Sequence, residues 1–193
     1  SSIIPIRNEQ KYIESCLDSI INQDFEEENE IIVVDGCSTD RTPEILIKYQ
    51  ENYKNVRLFI NDNIRTSYGL NIGIKHSNGD IIIRFDAHAF YPKDYMKKCV
   101  NWLRKLDADN VGGIIKTQVK TLNKKTSSIT AVLSDIIGVG NSKFRVGINK
   151  PQKVDTVPFG CFKKETFIKY GLFNVELNRN QDIEFNSRIN KSG

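Results

Sequence analysis

The sequence Glu30-Ile-Ile-Val-Val-Asp35 decides the fold, because it places four apolar β-branched residues in succession between two acidic ones. Such a short, continuous run is typical of a strand that is buried on both faces of a parallel sheet. The polar run Gly36-Cys-Ser-Thr-Asp40 follows at once and predicts a turn. Ser38 or Thr39 is expected to cap the next helix, and Pro43 suits its first turn. A buried strand that leads through a polar turn into a helix is the unit of an α/β fold.

Strand-like and helix-like segments alternate on both sides of this unit, which predicts a mostly parallel sheet sandwiched by helices. In the first half the predicted strands are 2–5, 30–35, 56–60 and 80–85, and the predicted helices are 9–21, the one after Thr39, and 67–76. The second half is looser and predicts helices 93–106, 164–170 and 182–191, strands 111–120 and 154–158, and a short helix around 128–136 within a polar, mobile segment, 121–153.

The composition fits one folded domain of ordinary size. The chain has 193 residues, 39% of them hydrophobic, and contains no internal repeat and no linker-like segment. Its net charge of +4 weakly favours an anionic partner and leaves nucleic acid, a phosphorylated metabolite and an anionic membrane open. The longest apolar runs are far shorter than the roughly 18 to 20 residues that a membrane helix needs.

The cysteines and the chain ends add two expectations. The four cysteines form no CxxC pair and have no neighbouring His at zinc-site spacing, so a reduced, intracellular setting is expected. The chain opens without Met and runs straight into a predicted strand, and it closes on Lys191-Ser-Gly193, a helix-stop signal. We therefore expect a piece of a longer protein.

Polar clusters follow the predicted strands, where open α/β sheets bind their ligands. The clusters are 5–9, 35–40, 86–88 and 180–184, and no dinucleotide-binding or P-loop glycine motif accompanies them. Asp86 and His88 are alternate residues of an extended segment, so both can reach one divalent ion. An Asp and a His together favour Mn²⁺ more than two Asp residues would, and Mg²⁺ also fits. The alternative is a simple carboxylate and imidazole pair at a strand end.

Each of the other candidates also has a structural alternative. Asp35 directly follows the apolar strand residues, where it either binds a base or ribose or only holds the turn. Asp40 suits a helix cap as well as a ligand contact. Arg7 and Arg65 are either surface charges or contacts to a nucleotide and its phosphates. Asp182 begins a predicted helix, where the macrodipole favours a carboxylate in any protein.

Taken in order, several motifs resemble those of the family 2 glycosyltransferases with the GT-A fold. These motifs are Ile4-Pro-Ile-Arg-Asn-Glu9, Val33-Val-Asp-Gly-Cys-Ser-Thr-Asp-Arg-Thr42, Gly79-Asp80 through Asp86-Ala-His88, and Asn180-Gln-Asp182. A closer similarity, to the branch that includes succinoglycan-type exopolysaccharide glucosyltransferases, is carried by Gly69-Leu-Asn-Ile-Gly73, Arg84-Phe-Asp-Ala-His88, Tyr91-Pro92, Gly138-Val-Gly-Asn-Ser-Lys-Phe-Arg145, Val154-Asp-Thr-Val157 with Phe159-Gly160, and Arg179-Asn-Gln-Asp182. The resemblance runs nearly end to end.

The resemblance implies one GT-A domain over 1–193, with a nucleotide-sugar-binding half, 1–90, and an acceptor-side half, 91–193, that includes the antiparallel portion. It implies a UDP-sugar donor, a divalent cation and inversion at the anomeric carbon. Matched to the family motifs, Asp182 is the catalytic base, Asp86 contacts ribose and metal, and His88 is the direct metal ligand. The residues expected to bind the nucleotide sugar are Pro5, Arg7, Glu9, Asp35, Asp40, Arg65 and Asp86, with Asp35 on the uracil. Gln181 stands where the family has Glu, and Gly36 where it has a second Asp.

The leading hypothesis is an inverting transferase that uses Mn²⁺ or Mg²⁺ to move a sugar, with UDP-glucose as the expected donor, to a lipid-linked or polysaccharide acceptor. The expected place is the cytoplasmic face of the cell membrane, and nucleic acid is not expected as a partner. One alternative is a nucleotidyltransferase, which also uses acidic residues and a metal at strand ends but releases pyrophosphate. Another is a non-catalytic module that binds a nucleotide sugar.

Overall fold

The computed structural model describes residues 1–116 and 150–192. The first part contains β1 (Ser2–Ile6), α1 (Ile13–Ile21), β2 (Ile31–Asp35), α2 (Thr42–Asn52), β3 (Val56–Ile60), α3 (Thr66–His76), β4 (Ile81–Arg84), α4 (Tyr95–Leu106) and β5 (Asn110–Val111). The second part contains β6 (Cys161–Lys163), α5 (Lys164–Tyr170) and α6 (Gln181–Ser192). None of these described helices is long and apolar enough to cross a bilayer.

The described strands form one mixed sheet in the order β3-β2-β1-β4-β6-β5. Strands β1 to β4 run parallel, whereas β6 is antiparallel to both β4 and β5. The predicted α/β class, with its mostly parallel sheet and antiparallel portion, is confirmed. The central strand β1 places Ile6 opposite Asp35 of β2 and Ile3 opposite Arg84 of β4. The polar clusters that follow β1, β2 and β4 therefore meet at one edge of the sheet.

Two apolar cores lie on the two faces of the sheet, because alternate side chains of a strand point to opposite faces. Ile4 and Val33 face the core that α1 and α4 cover. Ile3 and Ile32 face the second core, which receives α3, α5 and α6. This second core contains a cluster of aromatic rings in mutual contact, Phe162, Phe167, Phe173 and Phe185. Phe185 belongs to α6, so its packing anchors the start of that helix against the sheet.

The predicted strand 154–158 is wrong, since these residues form no strand and the strand of this region is β6. The carbonyl of Val157 instead accepts a hydrogen bond from Asn186 Nδ2 of α6, at 3.3 Å, so a side chain takes the place of a neighbouring strand. The predicted strand 111–120 is described up to residue 116, and of these residues only Val111 belongs to a strand, β5. The predicted helix 128–136 lies outside the described residues.

Two predicted helix starts also differ from the structure. Helix α1 begins at Ile13 and not at residue 9, and residues 10–12 form a turn in which the Glu9 carbonyl accepts hydrogen bonds from the N–H groups of Tyr12 and Ile13, at 2.9 Å each. Helix α2 is not capped by Ser38 or Thr39. The N–H of Thr42 instead donates to the carboxylate of Asp40, at 3.0 Å. Asp40 thus fills the structural role that its sequence position left open.

Glu30 ties three segments together at the amino end of the parallel strands. Its carboxylate accepts hydrogen bonds from Ser1 Oγ at 2.6 Å, from the N–H of Asn78 at 2.5 Å and from Arg57 Nη1 at 2.5 Å. Burial acts to raise the pKa of Glu30, but these hydrogen bonds outweigh it and lower the pKa from an ordinary 4.5 to about 2. A carboxyl with a lowered pKa stabilises the fold above its unfolded-state pKa and loses that contribution as it is protonated.

We expect Glu30→Gln to lower the free energy of unfolding at pH 7 by about 1 to 3 kcal/mol, the usual worth of hydrogen bonds to a charged group. The difference from the parent protein should shrink as the pH falls from 4.5 toward 2, where the parent also loses its carboxylate. Urea unfolding at pH 7 and pH 3 measures this, with Glu51→Gln at an exposed position of α2 as the control. An equal loss at both pH values would contradict the interpretation.

Candidate active site

A cavity of about 380 Å³ opens at the carboxyl ends of β1 and β4. Its wall is formed by the ends of β1 and β4 with the residues that follow them, by the loop that precedes α6, and by Asn61, Ile64 and Thr66 between the end of β3 and the start of α3. Of the residues predicted from the sequence, those that line it are Pro5, Arg7, Glu9, Asp86 and His88. The structure therefore brings together the first and third polar clusters, which are about 80 positions apart in the sequence.

His88 bridges two carboxylates on one wall of this cavity. Its Nε2 lies 3.1 Å from Glu9 Oε2, and its Nδ1 lies 3.4 Å from Asp86 Oδ1. The N–H of His88 also donates to Asp86 Oδ1 at 2.8 Å, and the N–H of Asp86 donates to the Tyr91 hydroxyl at 2.8 Å. Burial raises the pKa of Glu9, His88 opposes that, and the negative charges of Asp86 and Asp40 add to it. The imidazole thus relieves repulsion between neighbouring acidic side chains.

The pair Asp86 and His88 fits a divalent cation that also binds phosphate oxygens. In the described part of the chain, no group of three or more His, Cys, Asp or Glu side chains is arranged to hold a metal. A cation with one or two protein ligands is common where substrate phosphates complete the coordination. The Asp86 carboxylate is half-buried and the imidazole is 60% exposed, so both remain open to the cavity. These two side chains therefore fit a cation whose other ligands come from a bound phosphate.

Asp182 lies in the first turn of α6, directly after two residues that line the cavity, Asn180 and Gln181. Its carboxylate accepts a hydrogen bond from Arg84 Nη1 at 2.5 Å, and the two side chains are only 16% and 9% exposed. Burial raises the pKa of Asp182, while Arg84 and the N–H of Phe159 act to lower it. Asp182 is not itself among the residues that line the cavity. Its ion-pair partner Arg84, which the sequence interpretation missed, does line it.

Asp35 is held inside the loop that follows β2. The residue is 4% exposed, and the Ser38 hydroxyl donates to its Oδ1 at 2.5 Å. The same hydroxyl accepts a hydrogen bond from the N–H of Asn8, at 2.8 Å, and Asn8 Oδ1 accepts one from the N–H of Thr39, at 2.8 Å. These contacts join the loop after β1 to the loop after β2. Asp35 is not among the residues that line the cavity, although its neighbour Val34 is.

Asp40 and Arg65 also have partners within the protein and do not line the cavity. The Asp40 carboxylate accepts hydrogen bonds from the N–H groups of Thr42 and Gln10, at 3.0 and 3.2 Å. Arg65 Nη1 donates to the carbonyl of Val175 at 3.2 Å. Their binding roles stay predictions. Arg179, by contrast, lines the cavity with an exposed side chain, and its position next to the Asn180-Gln-Asp182 motif was the signal that could have identified it.

The four cysteines offer no reactive thiolate to the site. All four are unpaired, and Cys16, Cys99 and Cys161 are buried. Burial raises the pKa of Cys16 to about 12 and that of Cys99 to about 11, and it raises the pKa of Cys161 and Cys37 as well. A thiol with a raised pKa stays protonated near neutral pH and is a weak nucleophile. The chemistry of the cavity therefore depends on carboxylate, imidazole and guanidinium groups.

Comparison with known proteins gives a family match and two informative relatives. The model of the Glycosyl transferase family 2 matches residues 1–171. A dolichyl N-acetyl-α-D-glucosaminyl phosphate 3-β-D-2,3-diacetamido-2,3-dideoxy-β-D-glucuronosyltransferase of Methanococcus voltae is 34% identical over 100% of this chain and 62% of its own. The succinoglycan biosynthesis protein ExoA of Rhizobium meliloti is 25% identical over 99% of this chain and 58% of its own. The chain thus spans about three fifths of the length of these relatives.

Two solved structures share the fold. Staphylococcus aureus TarS in complex with UDP-GlcNAc superposes with a TM-score of 0.71, at 20% identity, over 97% of this chain and 52% of that one. A mannosyltransferase of Pyrobaculum calidifontis in complex with GDP-Man and Mn²⁺ gives a TM-score of 0.71, at 22% identity, over 95% of this chain and 49% of that one. The GT-A fold implied by the sequence motifs is therefore confirmed.

We expect Ser38→Ala to lower the free energy of unfolding by about 1 to 3 kcal/mol, because the buried Asp35 carboxylate loses the hydroxyl and keeps only the N–H of residue 38, and the N–H of Asn8 loses its side-chain acceptor. Urea unfolding with tryptophan fluorescence measures the change. Ser15→Ala is the matched control, since its hydroxyl bonds only to a carbonyl of its own turn, that of Tyr12, at an exposed position. A loss no larger than that of the control would contradict the loop-joining role.

Proposed function

Because the chain belongs to glycosyltransferase family 2, we propose that it transfers a sugar from a UDP-sugar to an acceptor hydroxyl with inversion, with the help of a divalent cation. One observation carries the proposal: the cavity has Glu9, Asp86 and His88 on one wall and the segment leading into Asp182 on another. The first group suits a metal-bound diphosphate, and the second provides a carboxylate on a different element. The donor diphosphate and the acceptor hydroxyl would thus be served by different residues of the protein.

The donor end of the cavity is suited to a nucleoside diphosphate. Asp86 and His88 are the residues that would hold the cation, as their open side chains and their separation allow. When bound, such a cation neutralises negative charge that develops on the departing diphosphate. Arg7 and Arg179 also line the cavity with exposed guanidinium groups, which bind phosphate oxygens well. Asp35 and the loop that follows it are proposed to bind the uracil of the donor, beside Pro5 and Glu9.

The proposed reaction needs one protein base. The acceptor oxygen forms a bond to the anomeric carbon, and the bond from that carbon to the phosphate oxygen breaks. The acceptor proton passes to the Asp182 carboxylate, and the nucleoside diphosphate leaves with its electron pair. A carboxylate whose pKa is raised by burial accepts a proton more readily than an exposed one. General-base assistance of this kind contributes about 10²- to 10⁴-fold to the rate.

The proposed acceptor is a lipid-linked or polysaccharide sugar at the cytoplasmic face of the cell membrane. The names of the two relatives support this, since one acts on a dolichyl-linked sugar phosphate and the other takes part in succinoglycan biosynthesis. The four unpaired thiols fit a reducing compartment. We propose glucose as the transferred sugar on the branch similarity described above. Detection of released UDP, and not pyrophosphate, distinguishes this activity from nucleotidyl transfer.

Asp182→Asn is expected to lower the rate of UDP release by about 10²-fold or more, because the amide cannot take the acceptor proton. UDP affinity should stay close to that of the parent protein, since Asp182 does not line the cavity. The measurements are UDP release from UDP-sugars with a polyprenyl-phosphate-linked sugar acceptor, and UDP binding by calorimetry. Asp155→Asn, at an exposed position, is the control. Full turnover in Asp182→Asn would remove Asp182 from the base role.

His88→Ala is expected to weaken UDP binding in the presence of Mn²⁺ by about 10- to 100-fold, the usual effect of disturbing a metal site. It should have little effect on the weaker binding measured with EDTA. His76→Ala is the matched control, since that imidazole is exposed at the end of α3 and stacks on Phe59. Equal affinity of the parent protein with and without Mn²⁺ would contradict the proposed metal site.

A further inference from the structure

Arg84 is a charged residue in a buried position at the end of β4, and it is 8% exposed. On an extended strand its side chain shares a face with those of Ile82 and Asp86. Ile82 belongs to the core that receives α6. The guanidinium therefore reaches the first turn of α6, where it meets Asp182. A buried charge is tolerated only with a partner of opposite charge, so the two residues depend on each other.

A short segment before β6 holds both members of this pair. The Phe159 ring lies 5.0 Å from the Arg84 guanidinium carbon, and the backbone N–H of Phe159 acts to lower the pKa of Asp182. The N–H of Arg84 donates to the carbonyl of Gly160 at 3.0 Å. A Cβ atom on Gly160 would lie 2.0 Å from Asn110 Oδ1, so only glycine allows this close approach. The orientation of the ion pair is thus fixed from two sides.

We propose that Arg84 is a positioning residue for the base: it keeps Asp182 ionised and aims its carboxylate at the acceptor hydroxyl. This inference rests on the proposed function. A carboxylate has about four lone-pair sites, so the hydrogen bond from Arg84 leaves room for a proton from the acceptor. Without the guanidinium, desolvation would favour the neutral acid, which cannot act as a base.

The buried Nε of Arg84 has no hydrogen-bond partner among the described residues. The contact with Asp182 uses Nη1 alone, so the bidentate geometry of arginine is not exploited. A lysine at this position would keep the positive charge and the contact and would not bury the unpaired Nε. Arg84→Lys should therefore retain the positioning role that Arg84→Met removes.

The test compares Arg84→Met and Arg84→Lys with the parent protein. Arg41→Met is the control because, among the described residues, the Arg41 side chain pairs with Glu44 alone, at an exposed position. UDP release from UDP-glucose or UDP-GlcNAc, with Mn²⁺ and the polyprenyl-linked acceptor, gives kcat and KM, and calorimetry gives the UDP Kd. Arg84→Met should lower kcat by about 10²-fold, the cost of misplacing a catalytic group by about 1 Å. Donor KM and UDP Kd should stay within about threefold, because the Arg84 side chain, although it lines the cavity, is only 9% exposed and its guanidinium is paired with Asp182. Arg84→Lys should recover most of kcat.

A second comparison separates positioning from general damage to the fold. In the Asp182→Asn background, adding Arg84→Met should lower kcat no further, because residues that act as a unit are not additive. Three results would each overturn the positioning role. They are a full additional loss of kcat in the double variant, an Arg84→Lys enzyme as slow as Arg84→Met, and a UDP Kd that rises as much as kcat falls.

If Arg84→Met does not fold, the Arg84→Lys result decides. A parent protein that binds UDP but transfers no sugar overturns the proposed function and this role together, whereas an active parent with a fully active Arg84→Met overturns this role alone.

Discussion

The parallel pairing of β1 with β2 on one side and β4 on the other is the constraint on which the site depends. Its register sets Ile6 beside Asp35 and Ile3 beside Arg84. Because all three strands run in one direction, their polar carboxyl ends emerge at the same edge, and the apolar residues between them are buried on both faces. A shift of one residue in β4 would turn Arg84 and Asp86 to the other face and separate them from α6.

The carboxylates at that edge each contact a basic side chain. Glu9 and Asp86 share the imidazole of His88, and Asp182 is paired with Arg84. These two basic partners differ in their exposure, since the imidazole is largely open to the cavity and the guanidinium is not. An open, exchangeable partner suits a position where a cation binds and leaves with a substrate. A buried, permanent partner suits a carboxylate that must keep one orientation through each turnover.

Local signals in the sequence were enough for much of the fold. The β-branched run of β2, the turn residues between elements and the family motifs led to the parallel strands, whereas the predicted Ser38 or Thr39 cap of α2 was wrong. The contact of Arg84 with Asp182 joins residues 98 positions apart and depends on how the Phe185 side chain seats α6, which no local pattern encodes. Strand β6 has only three residues, too few to show an alternation of apolar and polar side chains. It is recognised as a strand by its antiparallel pairing with β4. Alternation from Asp86 would have put Arg84 on the correct face without revealing its partner.

The antiparallel strand β6 has a consequence for synthesis of the chain on the ribosome. Ile82 pairs with Phe162, so the edge of β4 has to wait for about 80 further residues before its partner strand exists. During that interval an apolar strand presents unpaired N–H and carbonyl groups, which is a template for pairing with other nascent chains. The parallel strands β1 to β4 are therefore paired along the β4 edge only after β6 has been synthesised.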